Sequence, residues 1–264
     1  MGSSPNCPPV PAELAGATVG ARLAANVWRL HHPRHGDMVI KTGPGVADEA
    51  AGLRRLAAVE AGPPVPSVVH ASGGVLVTSW VGHGGRSAAA EAELGRSLAV
   101  LHRTQPGEWG GGSSWIGACR VDPTPAADPA AFYGHRLMGL ADRCGLGDLV
   151  GRLAARLGRL IPPGPPALLH GDLWWGNVLW GPGDRPWLID PSVHGGHPEE
   201  DLAMLALFGP VPGRLLGAYN DTRPLDDGWT GRVQLWQLYP LLVHTVLFGG
   251  GYRAQAESAA RRYL

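Results

Sequence analysis

The stretch "LLHGDLWWGNVLW", residues 168–180, holds the densest chemistry in the chain. His170, Asp172 and Asn177 stand in the pattern H-x-D-x-x-x-x-N. A positioned carboxylate can take the proton that a hydroxyl gives up late in a displacement. A neutral amide five residues on can offer its oxygen to a hard cation without competing as a base. The chain then turns at "GPGDR", 181–185, and returns as "PWLID", 186–190. Two short apolar runs around a Gly/Pro/Asp turn read as a hairpin. That fold-back carries Asp190 to the neighbourhood of Asn177, where a second carboxylate completes an oxygen set for a divalent metal.

Working outward, "GDMVIKTGPG", residues 36–45, contains Lys41, the one lysine of the chain; the other 21 of its 22 basic residues are arginine. A compact ammonium on a flexible stem suits a phosphate cluster as a point charge. The larger planar fork of arginine fits badly in a tight site. Glu49, on the helix that follows, is the expected ion-pair partner, with Asp48 as second choice. A strand lysine, a helix glutamate, an H-x-D-x-x-x-x-N loop and a hairpin-end aspartate follow one another as in kinase-like phosphotransferases.

The intervening segments support that order. "VWRL" (27–30) and "MVIK" (38–41) read as strands, as do "VPSVVHAS" and "VLVTSWV" around Gly73-Gly74. "ADEAAGLRRLAAVEAG" between them is helical, with Leu53, Leu56, Ala57 and Val59 on roughly one face and Gly62-Pro63 as the stop. After Gly82 the pattern turns helical, beginning with the stripe Leu94, Leu98, Leu101. Residues 105–127 form a Gly/Ser/Pro-rich loop; "DPAAFYGHRLMGLADRCG" and "DLVGRLAARLGRLI" are each read as one helix, and the remainder from Asp201 is helical. The fold class is therefore α+β, a bilobal protein-kinase-like fold. Residues 1–81 form a small sheet-rich lobe and residues 82–264 a larger helical lobe.

Composition narrows the alternatives. Formal net charge is zero and no basic stripe exists, which argues against nucleic acid as a partner. Three widely spaced cysteines without a CxxC pair point to reduced thiols and a cytoplasmic location. The first ten residues show no charged-then-apolar signal segment, and Asn6 stands where a myristoylation pattern needs Ser or Thr. No apolar run approaches a membrane span of ~18 residues. No G-x-S-x-G elbow supports a hydrolase. His194 and His197 with Glu199, Glu200 and Asp201 suggest zinc, but capping of the next helix by Asp201 is the preferred reading.

The chain resembles the fructosamine-3-kinase and ketosamine-3-kinase family, relatives of aminoglycoside and choline kinases. The resemblance rests on "MVIK", "DEAAGLRRL", "ELGRSLAVLHR", "LLHGDLWWGN", "LIDPSVHGGHPEEDLAMLALFG", "QLWQLYPLLVH" and "LFGGGY". It implies ATP- and Mg²⁺-dependent phosphorylation of the sugar 3-hydroxyl of ketoamines, the adducts of sugars with amines, which promotes deglycation. It implies Asp172 as base, Asn177 and Asp190 as metal ligands, and Lys41 with Glu49 as the phosphate anchor. Ser79, Trp80 and Val81 fall at the hinge that faces adenine, and Gly20 in the turn over the phosphates. Trp174 is favoured over Trp175 to face a sugar. Glu199 and His244 are further substrate candidates; for His244 a satisfied core histidine is equally open. Met204, Leu205 and Phe208 are expected in the core. The chain departs from the family in its thinned glycine turn (Gly16, Gly20, Ala21), at His194-Gly195 and at Val243. No redox cysteine stands in the turn. A sister kinase of the aminoglycoside or choline type, or a catalytically weak nucleotide-binding protein, are the alternatives. A monomer or weak dimer is expected.

Overall fold

The computed structural model describes residues 7–264; Asn6 and the start of the chain lie outside the described residues. The first lobe is an antiparallel sheet of β1 (Thr18–Ala24), β2 (Val27–His32), β3 (Gly36–Thr42), β4 (Val68–Ser72) and β5 (Val75–Ser79), in the order β1-β2-β3-β5-β4. Helix α1 (Val46–Ala57) crosses between β3 and β4. Side chains alternate across a strand. In β3, Met38 and Ile40 join Leu30 and Val77 in a buried apolar cluster, which leaves Val39 and Lys41 on the opposite, cleft-facing side.

The chain crosses into the helical lobe through residues 80–87. Helix α2 (Ala88–Arg103) starts where the Ser87 hydroxyl accepts from the Ala90 N–H at 3.0 Å. The loop after it holds a two-rung ribbon, β6 (Trp115–Ile116) and β7 (Cys119–Arg120). Then come α3 (Pro129–Ala141), capped by Asp128, α4 (Gly147–Ala154) and the single turn α5 (Leu157–Leu160). Strand β8 (Ala167–Leu169) leads into the 170–177 loop. Strands β9 (Val178–Gly181) and β10 (Arg185–Leu188) form the expected hairpin, and β11 (His194–Gly196) returns antiparallel to β8. Helices α6 (Glu199–Leu207), α7 (Gly213–Thr222), α8 (Trp229–Phe248) and α9 (Gly251–Arg261) complete the lobe. Pro240 lies inside α8. It cannot donate to the carbonyl four residues back, and the Tyr133 hydroxyl shares its one proton between the Leu235 carbonyl at 2.7 Å and that Trp236 carbonyl at 3.1 Å.

The lobes share a core. One buried cluster runs from Leu53 and Leu56 of α1 through Leu94 and Leu98 of α2 to Leu173 and Leu188 beside the loop. Burying such side chains is worth roughly 1.5–3 kcal/mol each, so the cleft between the lobes has an apolar hinge side rather than a free joint. Among the described residues, no helix is long and apolar enough to cross a membrane.

Three expectations are corrected. Residues 18–24 form strand β1, not a turn: Gly20 lies within the strand, and the turn is Ala25-Asn26. The segment 148–161 breaks into two helices at Ala155-Arg156. Phe208 ends α6 with 43% of its surface exposed, whereas Met204 and Leu205 are buried.

Candidate active site

Lys41 is held at the floor of the interlobe cleft. Its Nζ lies 2.6 Å from Glu49 Oε2 and 3.2 Å from Asp190 Oδ1. Burial works against the ammonium charge, but the charges of Asp190 and Glu49 outweigh it and hold the group above the ordinary lysine range. Burial pushes the Glu49 carboxyl upward, against the pull of Lys41. Asp48 is excluded as the partner, because its carboxylate accepts the Ser114 N–H at 2.8 Å.

The loop 170–177 is positioned by its own backbone. Gly171 has φ +81°, and a Cβ there would stand 2.0 Å from the Ser192 carbonyl, so only glycine fits. Asp201 reaches from α6 under the loop: its carboxylate accepts the His170 and Gly171 N–H groups at 2.8 and 2.9 Å. The same carboxylate stands 3.2 Å from His102 Nε2. Asp201 is therefore not the cap of α6; it clamps the loop from below, which the sequence reading missed. His170 Nδ1 accepts the Asp172 N–H at 3.3 Å, so its Nε2–H donates to the Ile189 carbonyl at 3.0 Å. Burial pushes the His170 pKa down, keeping the ring neutral in this linking role.

Asp172 and Asn177 meet over the loop. Asn177 Nδ2 donates to the Asp172 carbonyl at 2.8 Å and to its carboxylate at 3.3 Å. That fixes the amide with its oxygen turned to the other side, and Asn177 Oδ1 accepts no hydrogen bond among the described residues. The Ile189 N–H donates to the Asn177 carbonyl at 3.1 Å, which ties the end of the hairpin to the loop. Asp190 follows in the left-handed region at φ +53°, a strained setting for a residue with a side chain. Its carboxylate is 45% exposed. Burial raises the Asp172 carboxyl to about 7, with the nearby Asp190 charge adding and the Asn177 bond opposing. A carboxyl tuned to near neutrality is suited to accept a proton.

Two adjoining cavities share Lys41, Glu49 and Asp190. One, of about 280 Å³, is lined by Asn26, Ser113, Trp115, Asp172 and Ser192. The other, of about 400 Å³, is an apolar slot between Ala24, Val27 and Val39 above and Leu179 and Ile189 below, edged by Ser79, Trp80 and Val81. At that edge the Ser79 and Trp80 N–H groups are spent on the Ser67 and Asp37 carbonyls. The Val81 N–H has no partner among the described residues. Gly20 lines neither cavity; Leu23 and Ala24 take its place. Ser113 and Trp115 come from the irregular 105–127 loop, where no periodicity marked them.

The substrate candidates divide. Trp174 is 39% exposed and stands beside Phe208, which in turn meets His244, whereas Trp175 turns inward to stack on Trp180. Glu199 is only 2% exposed and is spent on Arg232, at 2.6 and 2.9 Å, and on Trp236 Nε1 at 2.8 Å. It faces no cavity of the cleft and is withdrawn as a substrate contact. The same pairing leaves little for a metal, although ligand atoms of His197, Glu199 and Asp226 lie within 4.8 Å of one another. His194 is buried between the Ser192 carbonyl and Arg136.

Comparison with known proteins identifies the family. The fructosamine kinase family model matches residues 43–264. A "Probable ketoamine kinase" of Thermus thermophilus is 34% identical over 239 residues, covering 86% of each chain. Another, from Synechocystis, is 33% identical over 237 residues, covering 82% of this chain and 77% of its own. A crystal structure from Thermobifida fusca, provisionally named a fructosamine-3-kinase, superposes with a TM-score of 0.85 at 35% identity, over 95% of this chain and 96% of that one. With its cleft, its bilobal α+β fold and these relatives, the chain belongs to the fructosamine kinase family of phosphotransferases.

Proposed function

We propose that the protein phosphorylates the 3-hydroxyl of a ketoamine, using ATP and Mg²⁺, and so promotes release of the amine. The observation that carries the reading is the meeting of Lys41, Asp190 and Asp172 on one cavity, with Asn177 hydrogen-bonded to Asp172. The apolar slot edged by 79–81 suits a purine, with the Val81 N–H as its free donor. Lys41 sits where the slot meets the second cavity, a place for a phosphate chain. The donor set fits Mg²⁺: Asn177 Oδ1 is unspent and the Asp190 carboxylate half-exposed, and both are hard oxygen ligands. Bound there, the ion would neutralise charge on the transferring phosphoryl group.

The remaining chemistry belongs to the chain. Asp172 accepts the proton of the attacking hydroxyl, and Asn177 orients that carboxylate. The Asp201 clamp fixes the loop so that the base does not drift; a misplacement of ~1 Å can cost about 100-fold. The choice of ketoamine over another alcohol rests on the family, and the 3-position on the name given to the Thermobifida relative. The test is ADP release with ATP-Mg²⁺ and ribulosamine, erythrulosamine or fructosamine acceptors, with the product located by phosphorus–proton NMR. Phosphate on the sugar 3-oxygen is the expected product. Turnover of aminoglycosides or amino alcohols but no ketoamine would overturn the reading.

A further inference from the structure

A third cavity lies behind one wall of the cleft. Ser113 and Trp115 line the cavity that holds Asp172, while Ser114, between them, lines another of about 470 Å³. This third cavity shares no lining residue with the two of the cleft. Its other walls come from residues 120–123 of the irregular loop, from α3 and from Tyr239 of α8.

Two of its lining side chains are buried and keep donors unspent. Arg136 is 5% exposed. Its Nη1 is engaged by Glu200 Oε2 at 3.1 Å and by His194 Nε2 at 2.8 Å. Its Nε and Nη2 groups have no hydrogen-bond partner among the described residues. Those two groups share one edge of the guanidinium, the fork that meets a carboxylate or phosphate with two parallel hydrogen bonds. The guanidinium is fixed over the Tyr239 ring, with Cζ 3.7 Å from the ring centroid. The Tyr239 hydroxyl is buried, and it too has no partner among the described residues. Burial raises its pKa against the pull of Arg136, so it stays an O–H donor. A buried hydroxyl without a partner is costly and calls for a physical explanation.

The rest of the lining sets the charge and the body of what would fit. Arg120 and His135 are exposed lining residues and add basic groups. The one carboxylate of the lining, Asp122, is spent: one oxygen accepts the Thr124 N–H and the other pairs with His135, each at 2.8 Å. Val121 and Leu140 supply apolar wall.

We propose that this cavity binds a small organic anion, a carboxylate or a phosphate monoester. Its head takes the free edge of Arg136 and the Tyr239 hydroxyl, and its apolar body rests on Val121 and Leu140. The site is separate from the cleft, and it stands whether or not the ketoamine reading holds.

The test is calorimetric titration with phenylacetate, phenyl phosphate and the neutral phenylacetamide, which carry three heads on similar bodies. The better anion should bind about 10-fold or more tightly than phenylacetamide, and whichever anion binds more tightly assigns the head. Tyr239→Phe should weaken that anion about 10-fold or more, without lowering Tm, because it removes only an unpaired hydroxyl. Gly139→Leu is the second variant. Gly139 lines the cavity from an exposed position of α3, and a Cβ there meets nothing within 4 Å. Leucine also favours a helix over glycine, so the variant should keep its Tm and lose the anion. Lys41→Met, which alters the cleft, should leave anion binding unchanged. The proposal is overturned if neither anion binds, if phenylacetamide binds as well, or if either Tyr239→Phe or Gly139→Leu leaves the affinity as it was. Loss of binding in Lys41→Met would also overturn it, by placing the anion in the cleft.

Discussion

Two acidic, histidine-bearing regions lie within a few residues of each other, and they behave differently. Around the loop, Asp172 is driven toward neutrality, Asp190 is strained and half-exposed, and Asn177 Oδ1 is unspent. In the segment 194–201, every acid has internal partners: Glu199 with Arg232 and Trp236, Glu200 with Arg136, Asp201 with His102 and two backbone N–H groups. Despite burial, His194 and then Arg136 hold the Glu200 carboxyl below the usual range, and His102 does the same for Asp201. The same residue types thus keep free valence in one place and serve architecture in the other. What separates them is whether valence is left over.

The largest effect that would break this contrast is at the base. Asp172→Asn should lower kcat by about 10²–10⁴-fold with far-ultraviolet dichroism unchanged; an unaltered rate would remove Asp172 from the chemistry. The same substitution sharpens the electrostatic half of the claim. The folded-state pKa lies above the ordinary 3.8, so the group costs stability as pH rises from about 4 to 7 and the full cost is present above 7. Asp172→Asn should therefore raise Tm at pH 8, by an amount equivalent to up to about 4 kcal/mol, and not at pH 4. A carbon-13 titration of Asp172 in the nucleotide-free protein should show its midpoint near 7.

Next in size is Asp201→Ala, which strips two buried N–H groups and a histidine of their acceptor. Removing one partner from such a buried set costs about 3–5 kcal/mol, so thermal unfolding should show a large fall in Tm. A Tm within a degree of the original would mean the clamp is dispensable. Lys41→Arg should lower kcat/KM for ATP by roughly 10–100-fold, since a charged hydrogen bond contributes about 1.5–3 kcal/mol and the fork cannot meet Glu49 and Asp190 in the same space. Smallest is Glu199→Gln: a loss of about 1–3 kcal/mol in stability, with KM for ATP unchanged. A change in KM there would erase the distinction between the two regions.

Much of this was legible in the chain. The hairpin after Asn177 and the strand that carries Lys41 follow from short-range periodicity and turn residues, which act over a few positions. The pairing of Lys41 with Glu49 was legible for the same reason, since a strand and the helix following it offer few partners. Asp201 was misread because a helix-start acid looks alike whether it caps its own helix or reaches a loop 30 residues away. Gly20 was misplaced because glycine spacing in β1 resembles a turn, while the pairing of β1 to β2 decides otherwise. Ser113 and Trp115 gave no signal at all, being placed by the pairing of Gly110 and Ser113 with residues 193–195.

The sequence alone determined the family and the two-lobed order of elements, and it singled out Asp172, Asn177, Asp190 and the lone ammonium of Lys41 as the site candidates. These depend on residue type and local spacing, which a linear chain records directly. Only the tertiary structure decided which carboxylates keep free valence and which tryptophan faces outward. Those properties depend on burial and on partners supplied across the fold, and burial is a property of the packed molecule rather than of any stretch of it.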